Sequence, residues 1–111
     1  MTERLRLAMP LIPLVVASLA YAVGGLFMKA SNGATRLAPT AAFLALFAAG
    51  ATLQAIGMKQ AHMGIAYVFV LGVEAVAAVA ISAVVLHEPY SPSRLAAIAV
   101  VLAGIAWLRA S

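Results

Sequence analysis

Three features of this sequence predict an all-α membrane protein of four transmembrane helices with short loops. Of its 111 residues 66% are hydrophobic and 9% charged, where soluble domains run at about 45–50% and about 25%. The apolar residues fall into four long segments, at about 7–28, 37–58, 64–86 and 95–108. Between these lie short polar stretches rich in turn residues, KASNGATR, KQAHM and HEPYSPSR. Short links make successive helices antiparallel neighbours, so residues 1–111 read as one four-helix transmembrane domain. With no cysteine, disulfides, thiol chemistry and cysteine metal sites are excluded. The net charge of +4 is spread over basic residues standing singly or in pairs at segment ends, which suits phospholipid headgroups rather than nucleic acid.

The first segment, about Leu7–Met28, carries Pro10 and Pro13 in its first turns, where a missing backbone donor costs little. Its basic start, apolar run and small triplet Ala20–Ala22 have the layout of a secretory signal. The apolar run continues through Gly24, Leu26, Phe27 and Met28, so it is read as a retained helix. Tyr21, Gly24 and Met28 are spaced three and four apart and share a face. Lys29 ends the segment, and Asn32-Gly33 marks the turn of the loop.

In the second segment Gly50, Gln54 and Gly57 share a face by the same spacing. Gln54 reads first as an interhelical hydrogen bond and second as a substrate contact. His62, in the link, has no second histidine, cysteine or carboxylate near it at ligand spacing, so no metal site is expected. Pro89 stops the third segment, and Glu88 just before it could pair with Arg94. In the fourth segment Ala97 and Gly104 lie seven apart on one face, and Trp107 and Arg109 suit the membrane boundary. Small residues on one face let another helix approach closely, which marks Ala97 and Gly104 as a candidate dimer contact.

A single four-helix bundle has little interior, so a dimer is expected. Orientation is nearly balanced: Arg4, Arg6, Lys59 and Arg109 lie on one side and Lys29, Arg36 and Arg94 on the other. Either the protein inserts both ways or a small bias places both termini in the cytoplasm. Opposed copies would form the inverted pair used by alternating-access transporters.

The stretch Gly64–Leu86 holds one charged side chain, Glu74, near its centre. A carboxylate there costs about 2.5–3.5 kcal/mol on insertion scales and marks a functional site by default. Tyr67 lies seven residues before it, and Ala77, Ala78 and Ser82 follow on the same face. Small neighbours leave room for a cavity, and the tyrosine hydroxyl could orient a ligand. One carboxylate that holds either a proton or a cation would give coupled exchange if the protein alternates access; a buried hydrogen bond in the bundle is the structural alternative. Candidate proton- or substrate-binding residues are Glu74, Tyr67, Tyr21 and Gln54, although Tyr21 is first a packing residue with its hydroxyl satisfied. There is no nucleophile–base pair, phosphate loop or metal cluster, so neither enzymatic activity nor a cofactor is expected.

The segments MKASNGATRLAPT (Met28–Thr40) and GIAYVFVLGV (Gly64–Val73) resemble the first loop and third-helix start of the small multidrug resistance family, within the drug/metabolite transporter group. The resemblance covers nearly the whole chain. It implies an antiparallel dimer in the cell inner membrane that exchanges protons for cationic, often aromatic compounds. The chain departs from the family where its chemistry lies. The essential first-helix acid, seven residues before the Met-Lys pair, is here Tyr21, which cannot do that job near neutral pH. The third-helix tryptophan is Val70, and Glu74 stands where glycine is usual. Tyr67 alone matches a family binding position directly. Two transport readings follow. Either the acid has moved to Glu74, in a homodimer or in a heterodimer with a similar short protein that supplies the missing carboxylate, or the chain carries a lipid-linked sugar. For the second, LHEPYSP (Leu86–Pro92) is similar to a loop in subunits of the carrier for aminoarabinose on undecaprenyl phosphate. A third reading is a non-transporting partner subunit with a structural Glu74.

Overall fold

The computed structural model describes residues 11–110 as four α-helices: α1 (Leu11–Ala30), α2 (Leu37–Gly57), α3 (Met63–Val84) and α4 (Pro92–Ala110), with a 3-10 turn at Met58–Gln60 after α2. The stretch before Leu11, with the expected start at Leu7, Pro10, Arg4 and Arg6, lies outside the described residues, as does the side chain of Arg109. The first three helices are long and apolar enough to cross a membrane, and α4 is a shorter apolar helix over Pro92–Leu108. With no water in the hydrocarbon layer, helices satisfy their backbone internally. The hydroxyls within them do the same: Ser18 donates to the Leu14 carbonyl at 2.7 Å and Thr52 to that of Ala48 at 2.9 Å.

Helix α1 is the hub. It packs against α2 and α3, while α4 leans on α3. Glycines decide how close the helices come. A Cβ on Gly24 would meet the Phe47 ring at 2.6 Å, one on Gly50 the Tyr21 ring at 2.7 Å, and one on Gly72 the tip of Ile105 at 2.6 Å. The first two seat α1 on α2, and the third seats α4 on α3. The Tyr21 and Phe47 rings meet edge to face, centroids 5.7 Å apart. Where α1 meets α3, Leu14, Ala66 and Val70 form a buried cluster.

The loops close where the turn residues stand. Ser31 is buried. It donates to the Met28 carbonyl at 2.6 Å and accepts from the Ala34 N–H at 3.1 Å. Asn32, Gly33 and Ala34 take positive φ there. Helix α4 begins at Pro92, ahead of the hydrophobic stretch, because proline suits the first helical position. Glu88 pairs with Lys29 at 3.1 Å and not, as expected, with Arg94; the backbone N–H of Arg94 donates to Ser91 Oγ at 3.2 Å. The pair ties the end of α1 to the α3–α4 loop, and Tyr90 OH bonds Ser82 Oγ beneath it.

The close approach at Gly50 sets a test. Gly50→Ala would force the Tyr21 ring to shift and should cost about 1–3 kcal/mol. Gly25→Ala meets nothing within 4 Å and should leave stability unchanged. Unfolding of both variants in detergent micelles checks this.

Candidate functional site

Helices α2 and α3 both lean on α1 and open a cleft of about 410 Å³ over it. Tyr21 of α1 lies in it. Ala51, Gln54 and Ala55 of α2, Met58 and Lys59 of the following turn, and Tyr67 of α3 line the rest. The small residues follow from the face that α2 turns inward, where Gly50, Gln54 and Gly57 are all buried.

Tyr21 OH donates to Gln54 Oε1 at 2.8 Å. This is the interhelical bond expected of Gln54, and Tyr21 supplies it. Gln54 is 5% exposed, and its Nε2 has no hydrogen-bond partner. A buried amide with one atom engaged and the other orphaned is a standing demand for an acceptor. Tyr67 is half-exposed on the opposite wall.

Glu74 lies two turns beyond Tyr67 on α3, partly buried, outside the cleft lining. It makes no ion pair among the described residues. Three of the four candidate residues, Tyr21, Gln54 and Tyr67, thus share one cleft, and the fourth stands beside it. Val70, at the position of the family tryptophan, is buried against α1 and lines no cavity wall here. Ala97 and Gly104 lie on an exposed face of α4, and a Cβ on Gly104 would meet nothing within 4 Å. Sequence reasoning missed Ala51, Ala55, Met58 and Lys59 as lining residues. The one available signal was Lys59, a cation five residues past Gln54, just beyond the end of α2.

Among the described residues no group of three or more histidines, cysteines or carboxylates could hold a metal ion. The site can offer hydrogen-bond donors from Gln54, Tyr67 and Lys59 in the cleft, and a carboxyl group from Glu74 outside its lining.

Four apolar helices, three of them forming a cleft, and a carboxylate within a membrane-spanning segment define a small multi-pass membrane protein. The comparisons narrow this. A family model described as Small Multidrug Resistance protein matches residues 9–101, and the chain belongs to that family. It is similar to proteins named guanidinium exporter. That of Yersinia pseudotuberculosis serotype I (strain IP32953) is 35% identical over 98 residues, 88% of this chain and 94% of the relative. That of Escherichia coli (strain K12) is 34% identical over 100 residues, 90% and 95% of the two chains. That of Citrobacter freundii is 31% identical over 100 residues, with the same coverage.

The bond at the centre of the cleft is testable on its own. Tyr21→Phe removes the donor to Gln54 and leaves the amide without a partner at either atom. It should destabilise the bundle by about 0.5–2 kcal/mol, read as a shift in the unfolding midpoint in mixed micelles.

Proposed function

We propose that the chain is a proton-coupled exporter of cationic or amphipathic small molecules, working as a dimer in the cell inner membrane, with Glu74 as the coupling group. The observation that carries this is the carboxylate itself: an acid midway along a membrane-spanning helix, partly buried, with no ion pair among the described residues. Such a group calls for a proton or a cation. A proton and a cargo cation would occupy it in turn, each displacing the other, and alternating access would convert that exclusion into exchange. The family and the name guanidinium exporter on its relatives support a small cation as cargo and transport rather than catalysis.

Pairing supports the reading further. One copy leaves Glu74 and the mouth of the cleft open, and the small-residue face at Ala97 and Gly104 gives a second copy, or a similar short chain, a place to dock. A heterodimer is the second arrangement. Tyr21 occupies the place of the family acid and spends its hydroxyl on Gln54, so a partner would supply a carboxylate at that depth. The resemblance of Leu86–Pro92 to lipid-linked sugar carriers keeps a lipid-linked cargo as the alternative.

Addition of guanidinium and of hydrophobic aromatic cations to weakly buffered, purified protein should release protons from the wild type. Glu74→Gln should release none. No release from folded wild-type protein overturns proton–cation exchange by this chain alone and directs the search to a co-expressed partner or a lipid-linked cargo.

A further inference from the structure

The polarity of the cleft is opposite to that of a cation site. The Gln54 side chain, more than nine-tenths buried, has its oxygen committed to Tyr21 and both Nε2 hydrogens unused. Lys59, exposed, brings an ammonium, and Tyr67 on the facing helix brings a hydroxyl. Among the described residues no carboxylate lines the cavity. Gln54 and Lys59 are five residues apart, about 7 Å along a helix axis. The cleft therefore runs from the end of α2, where a lysine meets headgroups, to a buried amide about a turn and a half deeper.

We infer that this cleft is a binding site for an anionic, phosphate-bearing amphiphile. Its charge would sit at Lys59, one of its acceptor oxygens at Gln54 Nε2, and its apolar part against Ala51, Ala55 and Met58. An unsatisfied buried donor gains most from an oxygen acceptor, more so when the acceptor is charged. The cleft offers a phosphate both a charge and a donor, and no carboxylate among the described residues lines it to hold a cation. A volume of about 410 Å³ holds a headgroup and the first carbons of a chain, with the remainder in the bilayer. The site is separate from cation exchange at Glu74 and does not depend on it.

The test is binding of short-chain phosphatidic acid to purified full-length protein in neutral detergent, followed by native mass spectrometry, with the matching diacylglycerol as the phosphate-free control. Wild-type protein should bind phosphatidic acid saturably and the diacylglycerol far more weakly. Gln54→Met, which keeps the shape and loses the amide, and Lys59→Ala, a surface change, should each raise Kd about tenfold. Should Gln54→Met fail to fold, Lys59→Ala and the headgroup comparison still decide. Equal binding of the two lipids overturns the inference. So does unchanged affinity in Lys59→Ala, or a folded Gln54→Met that binds as the wild type does. Competition with inorganic phosphate separates the two sources of the group: retention of phosphatidic acid supports a lipid headgroup, and displacement by inorganic phosphate overturns the amphiphile in favour of a soluble phosphate compound on the same donors.

Discussion

The contact between Tyr21 and α2 governs how the molecule is put together. The ring lies flat enough on Gly50 that no side chain fits between them, and the hydroxyl reaches Gln54 at 2.8 Å. Hydrophobic burial gives little to helix association in lipid, since the lipid is as apolar as the helices. What holds α1 to α2 is therefore close packing at Gly24 and Gly50 and this one polar bond. With α1 fixed, α3 takes its other side through Leu14, Ala66 and Val70, and the cleft is the gap left between the two helices that share it.

The same contact explains the site's chemistry. Tyr21 commits its hydroxyl to Gln54. It bridges two helices and turns the neighbouring glutamine into a one-sided donor. The carboxyl group within the spans is on α3, at Glu74, outside the lining of the cleft. Hydrogen-bond donors line the cleft, and the carboxyl of Glu74 stands outside that lining. A chain built in this way has a place for each sign of charge.

Much of this was legible in the sequence, for identifiable reasons. Hydropathy gives the four helices because bilayer thickness sets their length. Gly50, Gln54 and Gly57 could be placed on one inward face because helical periodicity needs no knowledge of the partner. Which residue would meet Gln54 was not legible, since Tyr21 is 33 positions away and nothing local points to it. The Lys29–Glu88 pair, across 59 positions, was hidden in the same way, and the nearer Arg94 was the natural choice for Glu88. The lining by Ala51, Ala55, Met58 and Lys59 depends on how α2 and α3 splay from α1, an angle that no one-dimensional pattern encodes. Glu74 stood out from composition alone, but its position beside the cleft rather than in it required the packing.

The hub position of α1 bears on how the protein is made. Helix α2 docks on α1, α3 docks on α1, and α4 docks on α3. Each helix therefore meets a partner that has already been synthesised, and none must wait in the lipid for one still to come. A chain delivered to the bilayer from its N-terminus can bury its glycine-lined faces in the order in which they emerge from the ribosome. Helix α4 packs on α3, apart from the cleft that α1, α2 and α3 form.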